Sequence, residues 1–313
     1  MPIWAYILIF LLGVFIVVEA TERFVEGLLG SSLTLGVSAF ALGVIFGGFD
    51  AENLAAGVAA GLKDLPGVSM GTVIGSGIFL LTVAVGLCGV LAPLNLRLPG
   101  RFVLLTFLSP IPLLMAMGDG IISRREGLML FLISIALIAY ITKASQREML
   151  LKKGEVDEMV EERSARPAWF FPALMVGGVI AIAMGAELAA RGAKGIVTGL
   201  GISDTRFGMI FVAGSVSLEE IVRGLIPAYR GYPEIAVGNL LGTILFFVTF
   251  NVGVIALVRP LRIEAEVTLF YWPFLMAVLA LVSIFLMRRR IGRWEGGTLL
   301  AGYAIYLMLN WLR

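Results

Sequence analysis

Gly47-Gly-Phe-Asp50-Ala-Glu52-Asn53-Leu-Ala-Ala-Gly57 and Gly214-Ser-Val-Ser-Leu-Glu219-Glu220-Ile-Val-Arg223-Gly224 stand 167 residues apart in a chain of 313, each setting carboxylates inside an apolar, membrane-length segment. The register between the two copies continues without a gap: Pro66 with Pro233, Gly71 with Gly238, Gly75 with Gly242, Thr82 with Thr249, Gly86 with Gly253. Ten of the forty positions from 47 to 86 are identical, where composition alone gives about three. An acidic group in lipid costs roughly 2.5–3.5 kcal/mol by insertion scales and is retained mainly where it handles ions or protons. A duplicated pair of such groups points to a transporter.

Composition agrees. The chain is 59% hydrophobic and 15% charged, with a mean hydropathy of +0.98. A water-soluble domain of this size cannot hide that much apolar surface, so the bilayer must be the solvent. A net charge of +2 favours neither nucleic acid nor an acidic substrate as partner; membrane lipid and inorganic cations remain. The single cysteine, Cys88, excludes a disulfide framework or a cysteine metal site within one chain. With no histidine, proton handling falls to carboxylates, whose pKa values rise on burial. The segment from Met1 to Val18 lacks a basic leader and a small-residue cleavage site, so it reads as the first span.

Hydropathy predicts an all-α polytopic protein with ten transmembrane helices, at 3–22, 33–62, 68–92, 101–118, 125–144, 168–190, 203–229, 233–258, 266–287 and 294–312. The charged stretch Lys143 to Arg166 divides them into halves of five: a first repeat at 1–142, a linker at 143–167 and a second repeat at 168–313. An odd number of crossings per half turns the second half upside down, giving two inverted five-helix repeats, a common plan of secondary transporters. Lysine and arginine number fourteen on the side of the linker against nine opposite, with Arg223 left out as intramembrane. That places the linker in the cytoplasm and both termini outside.

Glycines interrupt spans 2 and 7, at Gly47-Gly48 and at Gly214 beside Ser215. A helix broken there frees carbonyls for a cation and a helix N-terminus for an anion. The following spans begin at Pro66 and Pro233 and carry Gly71-x-x-x-Gly75-Ser76 and Gly238-Asn239-x-x-Gly242-Thr243, small residues that let four central helices pack closely. Glu52 and Glu219 occupy equivalent places, and two glutamates match the charge of one Ca2+. Glu220 and Asn53 form the next matched pair, ligands or structural groups. Asp50 reads as a ligand or as the cap of the second half of the broken helix. Ser76 and Thr243 are either ligands or hydroxyls bonded to the backbone one turn back. Asn239 reads as a bridge between helices. Glu22 and Glu187 read as interface or vestibule charges, Glu19 as a proton-path candidate, and Arg288 to Arg290 with Arg293 as an inside anchor. Arg223, three and four residues after the acids, either pairs with them and weakens divalent binding or turns toward water.

These motifs resemble the two alpha-repeats of the calcium/cation antiporter superfamily, which includes sodium/calcium and proton/calcium exchangers. The layout matches over the whole chain and the motifs over about eighty residues. The sodium/calcium branch shows Gly-Thr/Ser-Ser-x-Pro-Glu in each repeat, and here Gly47 with Glu52 and Gly214 with Glu219 keep the spacing. Gly48, Phe49 and Val216 replace family hydroxyls, and Ala51 and Leu218 stand where proline is usual. The proton/calcium pattern Gly-Asn-x-x-Glu-His/Asn matches Gly48-Phe-Asp-Ala-Glu52-Asn53 except at Phe49. In both registers Glu52 falls at the ligand glutamate. The sodium branch also has Asn or Asp where Leu80 and Phe247 stand, which removes oxygen ligands for sodium.

The resemblance implies a secondary antiporter of the cell membrane that exchanges Ca2+ or a similar divalent cation for Na+ or H+. Glu52 and Glu219 fall at its ligand glutamates and Glu220 is an extra acid beside the site, the three together being the metal-ligand candidates. The spans outside the central four slide past the site. No cofactor is expected beyond the transported ions. Two rivals stand beside it: a degenerate homologue in which Arg223 neutralises the site, and an intramembrane carboxylate enzyme. The latter's nearest hint, Gly118-Asp119-Gly120, has no matching second aspartate motif.

Overall fold

The computed structural model describes residues 2–35, 43–47, 50–62, 66–95, 100–149, 167, 169–199 and 218–312; at Glu52 and Glu219, among others, the description covers the backbone only. The chain is all-α and polytopic, and each of the ten predicted spans carries helix among the described residues. Five of these helices are long and apolar enough to cross a membrane by length and composition alone: Ile3–Leu28, Ser69–Leu91, Arg124–Ala144, Pro233–Val258 and Val267–Met287. The broken segment Gly214-Ser215 and most of the predicted linker lie outside the described residues.

The chain forms two compact units, residues 1–47 with 138–239 and residues 48–137 with 240–313, so each unit draws on both sequence repeats. In the first, helices α1 (Ile3–Leu35) and α8 (Phe170–Gly199) lie antiparallel along their length. Glycine lets the backbones touch: a Cβ on Gly27 would stand 2.4 Å from the Met175 nitrogen, and one on Gly192 would stand 2.5 Å from the Phe10 nitrogen. Gly178 meets Phe24 and Gly185 meets Gly13 in the same way. Such close contact is how helices associate in lipid, where burying apolar surface gives no advantage over the acyl chains. The opposite face of α1 carries Trp4, Leu8, Leu11, Leu12 and Phe15, all exposed and spaced three and four apart, a stripe suited to acyl chains. Glu22 and Arg230 form an ion pair of 2.6 Å that ties α1 to the end of α9 (Leu218–Tyr229).

In the second unit the repeat is visible element by element. Span 3 comprises α3 (Pro66–Phe79), a π-helical turn at Leu80–Ala84 and α4 (Val85–Leu91). Span 8 comprises α10 (Pro233–Phe246), whose first turns belong to the first unit, a π turn at Phe247–Asn251 and α11 (Val252–Val258). Every boundary is displaced by the same 167 residues. Each π turn holds a buried threonine whose hydroxyl donates to the carbonyl four residues back, Thr82 to Ile78 and Thr249 to Leu245, both at 2.6 Å. That back-bond competes with the main-chain ladder and favours its local opening.

Two antiparallel pairings repeat the relation: β1 (Leu94–Asn95) with β4 (Arg290–Ile291), and β2 (Ile121–Ile122) with β3 (Leu261–Arg262). The helices that follow β2 and β4, α7 (Arg124–Met149) and α13 (Arg293–Leu312), open with equivalent caps. Glu126 accepts from the Ser123 nitrogen at 2.7 Å and Glu295 from the Gly292 nitrogen at 2.9 Å. Each crosses a repeat-equivalent helix glycine on glycine, Gly127 on Gly253 and Gly296 on Gly86.

Three departures from the expected spans have local causes. Span 4 is divided into α5 (Gly100–Leu108) and α6 (Ile111–Ala116), because Pro110 and Pro112 cannot donate to the ladder. Span 9 opens with a π turn at Val267–Tyr271 just before Pro273, ahead of α12 (Trp272–Met287). Helix α7 continues to Met149, into the predicted linker, because Lys143 to Met149 are mostly good helix formers that need no lipid.

Candidate cation-binding site

Helix α2 (Ala51–Leu62) begins 167 residues before α9, so Glu52 and Glu219 are each the second residue of a short helix. There a carboxylate gains about 0.3–1 kcal/mol from the partial positive charge of the helix end. The α2 helix lies in the second unit and α9 in the first.

Asp50 caps α2. Its Oδ1 accepts from the Asn53 backbone nitrogen at 2.9 Å, and its main-chain carbonyl accepts from the Leu54 nitrogen at 3.2 Å. Oδ2 accepts from Asn53 Nδ2, while Asn53 Oδ1 accepts from the Ser76 hydroxyl at 3.0 Å. Only the amide nitrogen can donate to a carboxylate, and the amide oxygen is left for the hydroxyl. All three residues are buried, so the network fixes the start of α2 against α3. Further along, the Ser69 hydroxyl donates to the Gly57 carbonyl. A Cβ on Gly57 would press 2.5 Å from Ile255 of α11, so α2 is seated between α3 and α11.

In the first unit Glu220 is 0% and Arg223 4% exposed, so both lie on the buried face of α9. Burial of Arg223 is not the open, water-facing position that snorkelling requires. Thr243 and Asn239 are buried on α10. The structure thus brings together Asp50, Asn53 and Ser76 in one unit and buries both Glu220 and Arg223 on α9 in the other. Of Glu52 and Glu219 the structure describes the backbone and not the carboxyl groups.

Two polar groups escape sequence reasoning. Asn251, in the second π turn, is buried with neither end of its amide hydrogen-bonded among the described residues. Nothing but its place opposite Ala84 marks it in the sequence. Glu264 lays its carboxylate over the start of α3, within 3 Å of where a Gly67 side chain would begin. Glu22 is in the Arg230 ion pair, and Glu19 and Glu187 pair with Arg23 and Arg191 along their own helices.

A family model described as sodium/calcium exchanger protein matches residues 5–143 and 170–312. The chain is a member of the sodium/calcium exchanger family. This exchanger is 27% identical over 302 residues to an uncharacterized membrane protein of Methanocaldococcus jannaschii, with 95% of each chain covered. It is 26% identical over 351 residues to the sodium/calcium exchanger MaX1 of Methanosarcina acetivorans, covering 96% of this chain and 97% of the other. Its fold is similar to that of the sodium-calcium exchanger NCX_Mj soaked with Na+ and Sr2+, with a TM-score of 0.83 and 26% identity over 98% of this chain and 99% of that one. As a member of this family the exchanger is a multi-pass membrane antiporter and not an enzyme. Leu80 and Phe247, where the superfamily's sodium branch is polar, each open a π turn and are fully buried in this exchanger.

Proposed function

We propose that the protein exchanges Ca2+, or a related divalent cation, for Na+ across the cell membrane, with its central loop in the cytoplasm. Glu52 and Glu219 supply the carboxylates that take the divalent ion, and Glu220 and Asn53 are the neighbouring polar groups. The observation that carries this reading is the register of α2 and α9: both begin at repeat-equivalent residues, and each sets its glutamate one residue in. Hard cations require oxygen ligands, carboxylates first among them. Ion and counter-ion compete for one set of negative charges, which couples their movements, since joint occupancy brings strong repulsion. Similarity to NCX_Mj and MaX1 supports sodium.

A specific observation favours a second counter-ion. The sodium branch's polar positions are the buried apolar Leu80 and Phe247, and Ser76 directs its hydroxyl to Asn53. Fewer free oxygens disfavour several sodium sites, whereas a buried carboxylate suffices for proton exchange. Uptake of radioactive calcium by vesicles, driven in separate arms by a sodium gradient and by a pH gradient, decides between the two. Glu52→Gln and Glu219→Gln are each expected to abolish uptake in the active arm. Uptake that persists in both variants rejects the paired-glutamate site. Wild-type silence in both arms, reversed by Arg223→Gln, supports the degenerate reading instead.

A further inference from the structure

The turn between spans 9 and 10 repeats the turn between spans 4 and 5 in backbone but not in charge. Gly120 accepts a left-handed conformation, φ 80°, and donates its nitrogen to the Met117 carbonyl at 3.1 Å. Its repeat equivalent is Arg289, with φ 59° and a 2.9 Å bond to the Leu286 carbonyl. Glycine takes that conformation freely, whereas a side chain such as arginine is strained in it. Among the described residues Arg289 is the one non-glycine with positive φ.

Strain retained where the sister turn uses glycine marks a side chain kept for its chemistry. Arg288, Arg289, Arg290 and Arg293 are all exposed around this turn. The acid facing them from α13 is Glu295, whose carboxylate is engaged by the Gly292 nitrogen, with Arg290 close to the same glycine. Among the described residues of this turn and the start of α13, four arginines against one glutamate leave a strong positive excess. In the sister turn Asp119 and Glu126 balance Arg124 and Arg125, and Asp119 Oδ1 accepts from the Ile121 nitrogen at 3.0 Å. The arginine turn is flanked by Trp294, 88% exposed, and Met287, 70% exposed, both apolar groups open to the surroundings in a chain that spans a bilayer. An exposed indole at a helix start is the usual anchor at headgroup depth.

We propose that Arg288, Arg289, Arg290 and Arg293, with the adjoining exposed Trp294, form a binding site for the phosphate of an anionic phospholipid headgroup. Guanidinium groups match phosphate oxygens in pairs, and an adjacent indole packs against the glycerol and acyl region. Thermal unfolding of the full-length protein in detergent, with added phosphatidylglycerol, phosphatidylcholine or inorganic phosphate, tests it. Phosphatidylglycerol is expected to raise the wild-type Tm, and the other two additions to leave it unchanged. Arg289→Gly relieves the backbone, so its lipid-free Tm rises while most of the phosphatidylglycerol shift is lost. Arg288→Gln with Arg290→Gln loses the shift without touching the strained residue, and Arg124→Gln with Arg125→Gln retains it. A full phosphatidylglycerol shift in either arginine-turn variant overturns the site, as does an equal shift from phosphatidylcholine or from phosphate alone. A lower lipid-free Tm for Arg289→Gly overturns the claim that the arginine is held against its backbone preference.

Discussion

Asn53 uses both ends of its amide, one on a carboxylate and one on a hydroxyl, and that polarity makes it hard to replace. Asn53→Asp removes the donor that faces Asp50 and sets a second acid against it. The expected loss is about 1–3 kcal/mol of stability, the cost of stranding buried polar groups, measured as a fall in unfolding temperature in detergent. An unchanged midpoint means that Asp50 finds another donor and the network does not hold the start of α2. Asn251 gives a prediction of opposite sign. Its amide is buried without a hydrogen bond among the described residues, so Asn251→Leu is expected to stabilise the protein by about 1–3 kcal/mol. If that variant is stabilised yet transports more slowly, the amide is kept for ions or water; if it is destabilised, the amide has a partner after all. The two residues also show what sequence can reveal at this scale. Asp50 three residues before Asn53 is a legible cap motif, but spacing alone does not separate a cap from a ligand. Asn251 follows no motif, and only burial makes its amide conspicuous.

At the scale of elements, glycine contacts decide which helices meet. Gly296 sits where α13 crosses span 3, and a Cβ there would lie 2.5 Å from the Gly86 carbonyl oxygen, whereas Gly297, one residue on, has open space. Gly296→Ala is expected to cost about 1–3 kcal/mol because backbone must move aside. Gly297→Ala is expected to be neutral or to stabilise by up to about 1 kcal/mol through helix propensity. Unfolding of the two variants side by side checks this, and equal midpoints reject the crossing. Much at this scale is legible from sequence. Pro66 and Pro233 mark where spans 3 and 8 begin, since proline suits a first helical turn. The π turns within those spans are not legible, because one extra residue in a turn barely disturbs an apolar run; Thr82 and Thr249, matched in register, are their sequence trace. The pairing of α1 with α8 is equally hidden: glycines at 27, 178, 185 and 192 announce close contact with some helix without naming it.

At the scale of the whole molecule, the linker divides the sequence into halves, while the compact units take parts of both. Physical contact in a membrane follows helix faces rather than chain order, so hydropathy reveals the spans and the repeat but not these groupings. What sequence does supply is a handedness of insertion. Two turns with the same backbone, one around Asp119 and one around Arg288 to Arg290, differ in charge, as expected if inversion puts them on opposite sides of the bilayer. Cells tend to retain arginine-rich loops in the cytoplasm, so the proposed orientation has Asp119 outward and Arg288 inward. The single cysteine, Cys88, is fully buried and gives little background to labelling. A cysteine at Asp119→Cys is therefore expected to react with a membrane-impermeant maleimide added to intact cells. One at Arg288→Cys is expected to react only after permeabilisation. The reverse pattern inverts the assigned orientation but preserves the repeat, whereas labelling of both from the same side is incompatible with two inverted halves. The second outcome also bears on transport, because an upside-down second repeat is what lets one site face the two sides of the membrane in turn by exchanging the conformations of two like halves.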